Sequence, residues 1–368
     1  MNYLARLIAF YLPQYHPVPE NDAWWGRGFT EWTNVTRAQP LFPGHYQPHL
    51  PADLGFYDLR VSETRQAQAD LARAYGIHGF CYYFYSFQGR RFLERPLNEV
   101  LESGEPDFPF CICWANETLT RRWDGRDNEV LLQQTHTPAA DRAFIEDALP
   151  VLRDRRYIRT DGGPILLVYR AALLSEPRET LAHWRRRCEE EGLGRLHISA
   201  METFGLGDPL ALGFDSAVEF YPHGARGKDV TGSVPGVPAD FSGRIVDYPS
   251  VADRAVERAL PDYPLFRGLM TSWDNTARRG RDAKIFVDST PEAYGSWLRA
   301  VVSQNGFAES STAPLVFVNA WNEWAEGAHL EPDQCYGLAY LEATAHALGL
   351  PDRGAAQRPH AAGLRHGS

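Results

Sequence analysis

Eight short, almost unbroken apolar runs punctuate this chain, and the segments between them carry helical spacing. The runs are Leu7–Leu12, Gly79–Tyr85, Phe108–Trp114, Ile165–Tyr169, Leu196–Met201, Ser216–Tyr221, Leu265–Trp273 and Leu315–Trp321. A strand with one wet face alternates apolar and polar residues. Runs without alternation suit strands buried on both faces, as in a parallel sheet covered by helices. Helices are expected over Ser62–Tyr75, with Ser62 as N-cap and Gly76 as C-cap, and over Asp141–Arg153, Arg178–Glu191, Val251–Leu260, Pro291–Ser303 and Leu338–Leu348. Strand–helix alternation taken eight times in about 340 residues predicts an α/β protein, a (β/α)8 TIM barrel with enlarged loops at its C-terminal face. The competing open, doubly wound sheet would show a Gly-rich first turn. Here Leu12 is followed by Pro13-Gln14-Tyr15-His16.

The largest insertion, Pro17 to Asp58, follows the first run, and an irregular stretch, Pro222–Tyr248, follows the sixth. Both belong on the face where barrel strands end and active sites form. Residues 1–350 read as one catalytic domain. Residues 351–368, small, polar and basic, read as a frayed tail.

Composition excludes several classes. Among 368 residues, 47 acids outnumber 37 Lys and Arg for a net charge of −10, and no basic cluster marks a nucleic-acid partner. No run approaches the roughly 18 apolar residues of a membrane helix. Pro13 breaks the first apolar stretch too early for a signal-peptide core, so a cytoplasmic protein is expected. Cys81, Cys111, Cys113, Cys188 and Cys335 read as reduced, mostly buried thiols. No CxxC pair or HExxH is present, so no metal is expected, and ligation by His16, His45 or His49 is not predicted. There is no GxGxxG, Walker loop, GxSxG elbow or Asp-x-Asp, and no cofactor is expected. Oligomeric state is not legible.

The strand ends carry a consistent chemistry. Expected substrate contacts are Tyr11 and His16 after the first run, Trp32 in the insertion, Tyr85 after the second, and Trp114, Asn116 and Glu117 after the third. Glu202 follows the fifth, Glu219 and Tyr221 the sixth, Trp273 and Asp274 the seventh, and Asn322 and Trp324 the eighth. Flat aromatic rings suit the C–H face of a sugar, and amides and carboxylates bind its hydroxyls. Any single aromatic could equally plug the barrel. Paired carboxylates are the core of glycosidic-bond chemistry. Glu323 and Glu326 stand three residues apart past the eighth run, among Trp321, Trp324 and Gly327, so that both can face one cleft. Apolar walls and a neighbouring carboxylate would raise the pKa of one and keep it an acid. A second pairing sets Glu117 against Glu202 or Glu219. The plainer role for Glu117 is a salt bridge to Arg121 or Arg122.

Three blocks carry a family resemblance: FYLPQYHPVPENDAWWGRGFTEWTNV (Phe10–Val35), WANETLTRRWDG (Trp114–Gly125) and WNEWAEGAHLEPD (Trp321–Asp333). They resemble the WbsX-type proteins of bacterial surface-polysaccharide gene clusters, described as glycosyltransferases or as glycoside hydrolase family 99-like. The resemblance runs from Leu7 to about Leu348. The Asn-Glu-Trp-Ala-Glu-Gly stretch is also similar to the active-site segment of family 99 endo-α-mannosidases, which are (β/α)8 barrels. The Pro-Gln-Tyr-His block marks the WbsX group and not the mannosidases. The similarity implies that Glu323 is a base toward the sugar 2-hydroxyl, giving a 1,2-anhydro sugar. It implies that Glu326 is the general acid and then the base for water, with retention of configuration.

These readings converge on a carbohydrate-active enzyme, a retaining endo-α-glycosidase of the α-mannosidase type acting on a poly- or oligosaccharide. The alternatives are a glycosyltransferase of cell-surface polysaccharide assembly, or a sugar-binding barrel without catalysis.

Overall fold

The structure is a computed structural model that describes residues 5–121, 126–160, 163–304 and 314–351. Of the expected tail over 351–368, all but Pro351 lies outside the described residues, as does Arg122 within the second family block.

The apolar runs form the staves of one sheet. They are β1 (Arg6–Tyr11), β2 (Ile77–Phe87), β3 (Phe110–Trp114), β4 (Gly163–Val168), β5 (His197–Met201), β6 (Ser216–Val218), β7 (Leu265–Phe266), β8 (Gly268–Met270) and β9 (Leu315–Asn319). All neighbours along the path β7-β6-β5-β4-β3-β2-β1-β9-β8 are parallel. β7 and β8 flank Arg267 in one continuous segment. The amide of Glu219 donates to Phe266 O on one side, and that of Phe317 to Arg267 O on the other. The two ends of the sheet therefore meet in a single stretch of chain, and the fold is a (β/α)8 barrel.

The seventh run, expected as one strand, is split at Arg267, where its pairing passes from β6 to β9, and Gly268 packs just past the end of β6. A Cβ there would stand 1.9 Å from the Glu219 carbonyl oxygen. Phe10 fills the barrel centre, its ring 5.0 Å from Phe220 of the opposite wall and 5.8 Å from Phe317.

The helices are α1 (Pro19–Trp25), α2 (Glu31–Arg37), α3 (Ser62–Ala74), α4 (Arg95–Ser103), α5 (Pro138–Leu152), α6 (Pro177–Glu190), α7 (Tyr248–Glu257), α8 (Thr276–Arg279), α9 (Pro291–Gln304) and α10 (Ala339–Ala347). α3 starts at Ser62 with Val61 in the capping position, one residue earlier than expected. Gly76, just past its end, takes φ +84°, the left-handed turn that glycine enters without a Cβ penalty. True side-chain caps occur at Thr137, which accepts from the Ala140 amide, and at Asp247, which accepts from Ser250.

The two long insertions are more ordered than the sequence indicates. α1 and α2 occupy the first, and Arg244–Asp247 in the second pairs in parallel with Lys284–Val287. Of the five free cysteines, four are buried and Cys335 is exposed. Among the described residues no helix is long and apolar enough to cross a membrane.

Candidate active site

After β9 the chain makes a small hairpin. Asn322–Glu323 pairs antiparallel with Ala328–His329, and a tight 3-10 turn, Trp324–Glu326, closes it. Gly327 makes the reversal at φ +61°. Polar side chains weld this hairpin to the end of β1. The Asn322 amide accepts from Leu12 N at 2.7 Å and donates to Leu12 O at 3.1 Å. Tyr15 donates its hydroxyl to Asn322 O and accepts from the Trp324 amide. Beneath, Trp324 stacks on His329 at 3.9 Å and donates its indole N–H to Glu331. Buried side chains with satisfied hydrogen bonds fix the loop's geometry.

The hairpin turns both Glu323 and Glu326 into one cleft of about 600 Å³. Tyr83, Tyr85, Tyr169, Phe204, Phe220 and Trp273 form its aromatic walls. Arg278 of α8 reaches the floor. Its Nη1 lies 2.5 Å from Glu326 Oε1, and its Nη2 lies 3.3 Å from Glu323 Oε2 and 3.0 Å from Glu31 Oε2. Three carboxylates thus face one guanidinium.

Burial is the largest influence on Glu323 and Glu326 and raises both carboxyls above the usual range. Glu323 is pushed up further by Glu326 and more weakly by Glu31, against the opposing pull of Arg278. Glu326 feels the same burial, with Arg278 opposing it and Glu31 adding to it. Burial and then Glu326 push Glu323 up to about 8, so in the resting site it is Glu323 that holds a proton near neutral pH, the opposite of the base role the family resemblance implies for it.

The predicted contacts divide sharply. Tyr85, Glu117 and Trp273 line the cleft with the two glutamates. The others do not reach it. Tyr11 is buried and donates to Gln68, and His16 is buried near Asp58. Trp32 packs between Tyr15 and Trp324, its indole N–H on Tyr57 O. Trp114 stacks on Phe144 at 4.0 Å. Asn116 closes a two-way bridge with the Arg170 backbone. Asn322 and Trp324 hold the hairpin as described. Asp274 is buried, held by His45, Gln47 and Thr276. These bonds outweigh burial and lower its pKa.

Glu117 pairs with Arg170, and Arg121 meets Glu129; Arg122 lies outside the described residues. The second carboxylate pairing is not assembled. Glu202 binds Arg258 and Tyr263, Glu219 binds Arg267 and Arg258, and Tyr221 donates to Glu219. These three line a neighbouring groove that meets the cleft at Phe204 and His223. Sequence reasoning missed Arg278, Glu31 and Lys284. Arg278 lies four residues beyond Asp274, one helical turn past the seventh strand end, and Glu31 stands inside the first family block.

A model of the family described as "Glycosyltransferase WbsX" matches residues 7–344. The chain belongs to the WbsX family. Two curated relatives, both called uncharacterized protein WxcX, come from Xanthomonas campestris pv. campestris, strains ATCC 33913 and B100. Each is 47% identical over 344 residues, which is 94% of this chain and 50% of the relative. This WbsX chain therefore spans about half the length of the curated relatives it matches.

Among solved structures, a glycoside hydrolase-like protein superposes with a TM-score of 0.59 at 15% identity, covering 94% of each chain. The GH99 endo-alpha-mannosidase from Bacteroides thetaiotaomicron gives 0.54 at 16% identity, covering 94% of this chain and 96% of its own. At these identities the likeness concerns the barrel fold.

Proposed function

We propose that this WbsX-family barrel is a retaining α-glycosidase of mannosidase type, acting within a poly- or oligosaccharide through the sugar's own 2-hydroxyl. The observation that carries the reading is the convergence of Glu323 and Glu326 on one aromatic-walled cleft, with Arg278 between them.

In the first step Glu323 takes the 2-hydroxyl proton as O2 attacks C1, while Glu326 gives its proton to the departing glycosidic oxygen. The products are a 1,2-anhydro sugar and the freed alcohol. In the second step Glu326 removes a proton from water as the water oxygen attacks C1. The C1–O2 bond breaks, and Glu323 returns its proton to O2. Two inversions give net retention, with no bond between sugar and enzyme. Arg278 offsets the charge that collects on the two carboxylates. Trp273 and Tyr85 supply flat faces for the ring.

A second reading, favoured by the description of the family, sends the intermediate to a sugar hydroxyl in place of water, which makes the enzyme a transferase. Incubation of candidate α-linked glycans with and without acceptor separates the two. Free reducing ends mean hydrolysis, and lengthened chains mean transfer. Glu323→Gln and Glu326→Gln each lower turnover about 10²–10⁴-fold, the usual worth of a general acid or base, while glycan binding stays measurable. Near wild-type rates in either variant remove the assignment.

A further inference from the structure

On the far side of the Asp274 and Gly327 backbone from the cleft lies a second cavity, of about 390 Å³. On its wall, three buried side chains from two distant parts of the chain, His49 from one and His329 and Asp333 from the other, each bring one ligand atom within 4.8 Å of the others. His49 Nδ1 and His329 Nε2 are 2.9 Å apart, and His329 Nε2 and Asp333 Oδ2 are 3.8 Å apart. We infer that this is a zinc site, with these three side chains as ligands and a fourth position open to the cavity.

The donor set is two imidazole nitrogens and a carboxylate oxygen, the borderline chemistry zinc selects. Two nitrogens bound at about 2.0–2.1 Å around a tetrahedral ion stand roughly 3.3 Å apart. The His49–His329 and His329–Asp333 spacings fall on either side of that value, so those two pairs need shifts of about half an ångström to close on an ion. Without an ion, the two histidines share one proton between them, which the metal would displace.

The supporting shell is already built. The backbone carbonyl of Glu331 engages His329 Nδ1 at 3.0 Å, leaving Nε2 directed at the cluster. Asp333 Oδ1 accepts the amides of Cys335 and Tyr336, which leaves Oδ2 for the ion. Ring stacking locks both imidazoles, His49 on Tyr46 at 4.1 Å and His329 on Trp324 at 3.9 Å. The cavity gives the ion an entry path, and no Lys or Arg stands among its described lining residues to compete for the carboxylates.

The ion would pin the insertion after β1, through His49, to the loop that leaves Glu323 and Glu326. It would act as a clamp on the site and not as a reactant, and it stands whether or not the glycosidase reading does.

The test is calorimetric titration of zinc into the metal-stripped full chain, with cobalt substitution in parallel. One equivalent of zinc binds saturably, and His49→Gln and His329→Gln, each shown folded by circular dichroism, weaken it at least about tenfold. Cobalt in the unaltered protein shows the visible bands of a tetrahedral site without a thiolate charge-transfer band, a readout that needs no variant to fold. No saturable zinc binding, unchanged affinity in both variants, or a cobalt–thiolate band handing the ion to Cys335 would each overturn the inference.

Discussion

Arg278 Nη1 stands 2.5 Å from Glu326 Oε1, closer than the same guanidinium comes to Glu323. In the resting site the arginine therefore favours the charged form of Glu326 more than that of Glu323. Burial drives the opposite way and raises both carboxyls. The balance leaves the resting proton on Glu323, whereas the proposed first step needs it on Glu326. A sugar that shields Glu326 from the guanidinium would tip it toward the acid form.

Removing the guanidinium removes the force that lowers both carboxyls. In Arg278→Met they rise by a further 1–3 pH units or so, the usual effect of losing an opposite charge within hydrogen-bond range. Titration of the glutamate carboxyl carbons by carbon-13 NMR reads this without a substrate. With a glycan in hand, the acidic limb of the rate profile, set by ionisation of the base, moves to higher pH by the same amount. Carboxyl titrations identical to wild type would show that Arg278 does not govern the pair.

Gly327 joins the Trp324–Glu326 turn to the seventh strand end. A Cβ on it would meet Asp274 N at 3.0 Å and Asp274 O at 3.2 Å, beside the 2.7 Å bond from the Asp274 amide to Glu326 O. Gly327→Ala combines left-handed strain with that collision and costs about 2–3 kcal/mol. Gly89 has φ +84° and nothing within 4 Å, so Gly89→Ala carries strain alone and costs about 1 kcal/mol. Urea midpoints of the two variants give the comparison. Equal losses would mean that the contact with Asp274 contributes nothing.

His16 is buried just past β1, and burial lowers its pKa to about 4. The unfolded chain takes up this proton near pH 6.5 and the folded chain does not, so stability falls as pH drops from about 6.5 to 4. The full effect of the one residue is about 3 kcal/mol. His16→Gln cannot charge, so its urea-unfolding stability declines less over that window than the wild type's. Parallel pH dependence in both proteins would contradict the assignment.

How much of this was legible follows from what each feature depends on. The staves were readable because burial on both faces leaves unbroken apolar runs such as GFCYYFY, and the barrel followed from their alternation with helices. The Glu323–Glu326 pair was readable because its spacing is local. Tyr11, Trp114 and Asn116 sit at strand ends as expected, yet strand position does not say which way a side chain turns. Tyr11 turns outward to Gln68, and Asn116 is consumed by the Arg170 backbone. Arg278 and Glu31, 247 positions apart, meet only through the closed barrel. So do His49 and His329, whose separation of 280 positions defeats any search for ligand spacing along the chain.

Glu331 underpins the hairpin and offers a test whose sign changes with pH. Tyr57 and Trp324 each donate to its Oε2 at 2.7 Å, and Gln68 donates to Oε1 at 2.6 Å. Burial nevertheless outweighs these bonds and pushes the carboxyl up to about 7. The folded state thus binds this proton more tightly than the unfolded chain, whose value is near 4.5. The contribution to stability is full below about pH 4.5 and is lost as pH rises through 7, a change of about 3 kcal/mol. Glu331→Gln stays neutral throughout, but it turns an NH2 toward a donor and forfeits a buried hydrogen bond, costing about 1–3 kcal/mol. The variant is therefore clearly less stable than wild type near pH 5. Toward pH 8 the gap narrows or inverts, because only the wild type then buries a charge. Urea unfolding of both proteins at the two pH values decides it. A gap that widens with pH would mean that the three donors, and not burial, set the charge of Glu331.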